Sequence, residues 1–134
     1  MSNYNKYMLE CIELAKQALE KGNPPVGSLL VFNDKIIGRG IESGKSTGDI
    51  TQHAEILAVK DALEKGYRDT LNQSILISTH EPCIMCSYLI RHHKIAKIVF
   101  GVSVPSVKVL MLRPAWVNIA SSVYAARACS SKPA

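Results

Sequence analysis

The sequence predicts an α/β fold, a three-layer α/β/α sandwich around a mixed sheet of four to five strands. Two observations carry that prediction. Apolar positions switch between helical and extended spacing in the order helix, strand, strand, helix, strand, helix, strand. The two later strands are short apolar runs that read as buried and are joined by helical segments long enough to lie on the sheet faces.

Each element follows from local pattern. Tyr4, Met8, Cys11, Ile12, Ala15 and Leu19 recur at three- and four-residue steps, making residues 3–21 an amphipathic helix that Lys21-Gly22-Asn23-Pro24-Pro25 ends. Val26–Phe32 and Lys35–Ile41 are apolar runs joined at Asn33-Asp34, which reads as a hairpin. Ser43–Thr51 is a polar Gly/Ser/Thr loop, either a solvated connection or the rim of a pocket. A helix follows to about Lys65, with Gly66 as its stop. Ser74–Ser78 is a strand, Cys83–His92 a helix, and Ala96–Phe100 another strand. Val107–Leu112 offers a fifth strand. Only about five residues separate it from Phe100-Gly101, fewer than a parallel crossover needs, so pairing with its neighbour is expected to be antiparallel. Ala115–Ala128 reads as a final helix with a poor apolar stripe.

Composition bounds the function. At 134 residues, 47% hydrophobic and 20% charged, the chain is expected to form one soluble globular domain. It contains no 18-residue apolar run, so no membrane helix is expected, and Met1–Lys6 lacks the layout of a signal peptide. The net charge of +5 is unevenly placed. Residues 1–107 carry 12 basic and 11 acidic groups, whereas residues 108–134 carry Lys108, Arg113, Arg127 and Lys132 and no acid. We therefore divide the chain into a domain at 1–107 and an atypical tail at 108–134. Arg91-His92-His93-Lys94 is the compact basic cluster of the first part; it either completes a helix C-terminus or contacts phosphate.

The chemistry concentrates in His53-Ala54-Glu55 and Pro82-Cys83-Ile84-Met85-Cys86. His53, Cys83 and Cys86 are ligands for three of zinc's four tetrahedral positions, which leaves one open for water, as in a catalytic site. Cys83 and Cys86 share one helix face, and Pro82 stands where a missing N–H is harmless. His53 and Glu55 fall in the first turn of their helix, so two helix N-termini, each favouring anionic groups, are expected to meet at the metal. Glu55 is the candidate proton carrier. A redox role for the two cysteines leaves His53 and Glu55 unexplained. Of the other cysteines, Cys11 sits on a helix stripe as a core residue, and nothing argues for a disulfide with Cys129, so a reducing cytoplasm is expected.

Pro25-Val26-Gly27, His53-Ala54-Glu55, Glu81-Pro82-Cys83-Ile84-Met85-Cys86 and Ile98-Val99-Phe100-Gly101 together resemble the cytidine/deoxycytidylate deaminase superfamily over about residues 3–101. The nearest branch in pattern holds tRNA adenosine, guanine and cytosine deaminases. The resemblance implies a cytidine deaminase-like fold, one zinc per chain on His53, Cys83 and Cys86, and Glu55 as catalytic acid–base. It also implies substrate contacts from Val26, the backbone of Ala54 and Glu81, and the segment at Pro82, and a homodimer. Glu42 stands where that branch usually has an Asn that bonds the base or sugar. A carboxylate only accepts hydrogen bonds, which favours a ring edge rich in N–H groups, such as guanine. The expected function is hydrolytic deamination of a small nucleobase or nucleoside, with guanine preferred. The alternatives are deamination of adenosine in tRNA, and a zinc-stabilised interaction module without turnover.

Overall fold

The computed structural model describes residues 4–103 and 115–118. Helix α1 (Tyr4–Glu20) leads into strands β1 (Gly27–Phe32) and β2 (Lys35–Ile41), which form an antiparallel hairpin. Asn33 and Asp34 both have positive φ, 49° and 59°, the backbone a two-residue hairpin turn needs to match strand twist. Leu30 pairs with Gly38 and Val31 with Ile36, so β2 carries one extra residue, Ile37, whose side chain is buried. The polar loop contains a short helical turn, α2 (Gly44–Thr47), that the sequence did not announce. Helix α3 (Ala54–Glu64), a 3-10 turn (Arg68–Gln73), β3 (Ile75–His80), α4 (Ile84–His92), β4 (Lys97–Val102) and β5 (Ala115–Asn118) follow.

The strands form one mixed sheet in the order β2-β1-β3-β4-β5. β1 is antiparallel to both β2 and β3, whereas β3–β4 and β4–β5 are parallel. Alternation of side chains builds the expected three layers. Leu29, Val31, Ile77 and Val99 point to one face and pack against Tyr7, Met8, Cys11 and Leu14 of α1. Leu30, Leu76, Ile98 and Phe100 point to the other, against Ala58, Val59 and Ala62 of α3 and Ile90 of α4. Complete burial of a Leu or Ile contributes about 1.5–3 kcal/mol, so these two layers hold the sheet between its helices.

Two readings of the sequence are corrected. The buried stripe of α1 is Tyr7, Met8, Cys11, Leu14, Ala15 and Ala18. Leu19, assigned to that stripe, is 60% exposed, because Ala18 occupies the sheet-facing position beside it. Ala115–Asn118, read as the start of a final helix, is strand β5. β5 lies parallel to its neighbour, with Lys97 opposite Ala115 and Phe100 opposite Asn118, and the connection through residues 103–114 reaches the dozen residues that a parallel crossover requires. The strand proposed at Val107–Leu112 and the rest of the 108–134 stretch, including Cys129, lie outside the described residues. Among the described residues no helix is long and apolar enough to cross a membrane.

Candidate metal centre

β2 and β3 both run antiparallel to β1, so their carboxyl ends share one sheet edge. Helices α3 and α4 begin beyond that edge. His53 is the N-cap residue of α3 and Cys83 that of α4, each with extended backbone, φ −74° and −73°. The His53 carbonyl accepts from Leu57 and the Cys83 carbonyl from Ser87, starting each helix at its metal-ligand candidate. Pro82 is buried immediately before the Cys83 N-cap, two residues ahead of the first residue of α4. The path of α3 is set by two glycines on β2. A methyl group at Gly40 would overlap the carbonyl oxygen of Ala54, and one at Gly38 that of Ala58. With Ala54, Ala58 and Ala62 fully buried, helix backbone rests almost directly on strand backbone.

This packing brings the predicted ligands together. His53 Nδ1 lies 3.5 Å from both Cys83 Sγ and Cys86 Sγ, and the two sulfurs are 3.6 Å apart. A tetrahedral zinc with Zn–S near 2.3 Å and Zn–N near 2.0–2.1 Å has ligand–ligand edges of about 3.5–3.8 Å. The triangle therefore has the size of one face of a zinc tetrahedron, with the soft and borderline donors that zinc takes. The contact with the Cys86 sulfur is the largest cause holding the Cys83 pKa down to about 5. Cys86 is held far above the usual thiol range by that same contact, then by burial and the nearby Glu55. Both sulfurs must be thiolates to hold a cation, so metal binding releases thiol protons.

Glu55, in the first turn of α3, points inward and is only 4% exposed. Its Oε2 lies 3.4 Å from Cys86 Sγ, and its Oε1 accepts a 2.8 Å hydrogen bond from Ser78 Oγ. Burial raises its pKa above the usual carboxylate range, against hydrogen bonds that lower it, from its own backbone, Ser78 and Cys86. Ser78 in turn accepts from Ser28 Oγ at 2.8 Å. Reading the sequence missed both serines. Their signal was a hydroxyl on the inward-facing parity of two strands, beside Leu30 on one and Leu76 on the other.

Glu42 is also buried, at 7% exposure, and its Oε2 accepts from the backbone N–H of Ala54 at 3.2 Å, at the N-terminus of α3. It is not a solvated loop charge. Its own N–H donates to the Val26 carbonyl at 3.0 Å, which ties Glu42, Val26 and Ala54 into one wall beside His53. The N–H groups of Ala54 and Glu81, expected to meet substrate or water, are engaged within the protein, Glu81 with the Val102 carbonyl at 2.8 Å. Asn23, buried behind the polar loop, donates to Ser46 Oγ and accepts from the Ser46 N–H, holding α2 in place.

A His–Cys–Cys triangle of zinc dimensions, a buried carboxylate beside it and two helix N-termini on a three-layer α/β sandwich define a zinc deaminase type of centre. The model of the cytidine and deoxycytidylate deaminase zinc-binding region matches residues 1–102, and the chain belongs to that family. It is 37% identical over 106 residues to tRNA-specific adenosine deaminase 2 of Danio rerio, covering 75% of this chain and 50% of that protein. It is 44% identical over 104 residues to the tRNA-specific adenosine deaminase of Buchnera aphidicola, covering 75% of this chain and 63% of that one. The matched part thus spans half to somewhat under two thirds of these relatives' lengths. Among solved structures, one from work on A-to-I editing by tRNA:A34 deaminases aligns at TM-score 0.75 and 25% identity, over 84% of this chain and 97% of that one. The guanine deaminase of Bacillus subtilis aligns at TM-score 0.69 and 26% identity, over 77% and 66%.

Proposed function

We propose that this chain is a zinc-dependent aminohydrolase that converts adenosine within a tRNA to inosine and releases ammonia. The observation that carries the chemistry is the buried Glu55 carboxylate, with Oε2 3.4 Å from Cys86 Sγ beside the ligand triangle. When held by His53, Cys83 and Cys86, zinc supplies a water acidified toward neutrality. Glu55 accepts one proton from the attacking water and passes it to the ring nitrogen, then takes the second proton of that water and delivers it to the departing amine. One water is consumed and one ammonia leaves, with no change of oxidation state. The kinship to two tRNA-specific adenosine deaminases supports the tRNA substrate over the free guanine-like base that the residue pattern alone favours. Exposed Arg91, His92 and Lys94 offer phosphate contacts at the far end of α4, roughly 13 Å along the helix from Cys83. Val26, Glu42 and Pro82 form the wall that receives the base.

A guanine-like base remains a second reading because Glu42 is buried in that wall. One of its oxygens is committed to Ala54, and the other is left for a substrate N–H. We further assign the chemistry to residues 1–107, place the protein in a reducing cytoplasm that keeps Cys83 and Cys86 available for metal, and take it to act as a homodimer through α4. The deciding experiment incubates the zinc-loaded protein with tRNA, adenosine, guanine and cytosine, measuring ammonia release and inosine in digested tRNA. Inosine in tRNA is the expected product. Ammonia from guanine without inosine in tRNA establishes the second reading, and no ammonia from any substrate leaves a zinc-stabilised interaction module.

A further inference from the structure

Ser28 and Ser78 are opposite partners in the antiparallel β1–β3 register, and both are completely buried. Their positions share the parity of Leu30 and Leu76, so they face α3 and α4 on the side of the sheet that carries the metal-ligand candidates. A buried hydroxyl is unfavourable unless hydrogen-bonded, and Leu or Val at these places would extend the apolar layer. Here the hydroxyls form a chain of two 2.8 Å bonds, Ser28 Oγ to Ser78 Oγ and Ser78 Oγ to Glu55 Oε1. Its direction is fixed by its end. An ionised carboxylate accepts only, so Ser78 donates to Glu55 and must accept from Ser28.

We propose that Ser28 and Ser78 are positioning residues that hold Oε1 of Glu55 and thereby keep Oε2 turned toward the His53–Cys83–Cys86 cluster. The proposal rests on the reading of Glu55 as proton carrier. A carboxylate turns readily about its last side-chain bond, a broad two-fold torsion. The sheet-anchored hydroxyl chain removes that freedom, and Oε2 becomes the oxygen presented to an incoming water. Ser78 acts directly on Glu55. Ser28 acts through Ser78, by orienting its hydroxyl.

Threonine and valine at position 78 have the same shape and differ in the hydroxyl, which makes them the decisive pair. Ser78→Thr is expected to keep kcat within a few-fold of wild type. Ser78→Val is expected to lower kcat about ten- to a hundred-fold, the range for losing a hydrogen bond to a charged group, with KM and zinc content changed less than three-fold. Ser28→Ala is expected to give a smaller loss in the same direction. The 13C resonance of the Glu55 side-chain carboxyl, assigned by its absence in Glu55→Gln, is expected to shift in Ser78→Val and return in Ser78→Thr. That readout needs no substrate. A wild-type protein that deaminates nothing therefore overturns the functional reading while the resonance still decides the positioning. Equal kcat and equal carboxyl resonance in the Thr and Val variants overturn the proposal, as does a larger effect from Ser28→Ala than from Ser78→Val.

Discussion

Glu55 and Cys86 are neighbours in space whose roles separate cleanly on substitution. Glu55 contributes no atom to the 3.5–3.6 Å ligand triangle, whereas Cys86 Sγ is one of its corners. Glu55→Ala is therefore expected to keep one zinc per chain and lose turnover by about 10²–10⁴-fold, the range for an acid–base group, toward its upper end because several proton transfers depend on it. Cys86→Ala is expected to lose the zinc itself and, because zinc binding is coupled to folding, thermal stability with it. Elemental analysis beside steady-state rates separates the two; stoichiometric zinc in Cys86→Ala would remove Cys86 from the ligand set. His53, Cys83, Cys86 and Glu55 were legible in the sequence because metal ligands and their acid–base partner must be particular residue types at particular spacings. Ser28 and Ser78 were not. A serine on a strand is ambiguous until the partner strand and its register are known, and that register joins positions 50 residues apart. Glu42 was half legible. Its position beside the site could be read, but its bond to the Ala54 N–H depends on how α3 meets β2.

The contact of α3 with β2 is where element packing becomes site geometry. Gly40 lies under Ala54, one residue from each of His53 and Glu55, and a methyl group there would stand 2.6 Å from the Ala58 nitrogen. No flexible side chain can yield, because the obstacle is helix backbone. Gly40→Ala is expected to destabilise the fold by about 1–3 kcal/mol, the usual range for overpacking, visible as a Tm lowered by several degrees. Displacing α3 also moves His53 away from the two sulfurs, so zinc retention in dialysis against a chelator should fall in the same variant. Unchanged Tm and unchanged retention would show that α3 is not seated by this contact. The main helices and strands were legible from periodicity, since each has its own apolar pattern. The Asn33-Asp34 turn was legible without a glycine, because Asn and Asp tolerate positive φ. The short helix α2 was not legible, since Asn23, outside the loop, supplies the bonds that hold it. β5 was missed for a related reason. Four residues carry too little periodicity to declare a strand, and its parallel pairing depends on the crossover before it.

Helix α4 carries exposed apolar side chains among the described residues. Ile90 is completely buried and Leu89 packs at the edge of the core, yet Ile84 is 69% and Tyr88 73% exposed, one turn apart on the outer side of the helix. Tyr88 stacks on His92 of its own helix, at 6.1 Å between ring centroids. Two large apolar side chains together on one exposed helix face have the composition of an interface centre. A second copy of the chain, meeting α4 with α4 about a two-fold axis, satisfies both sides with the same patch. The expected mass by light scattering at micromolar concentration is that of a dimer. Ile84→Asp combined with Tyr88→Ser is expected to shift it to the monomer mass. These side chains are exposed within the chain, so this double variant should keep the secondary structure seen by circular dichroism. A wild-type monomer, or a double variant that remains dimeric, would show that α4 is not the contact.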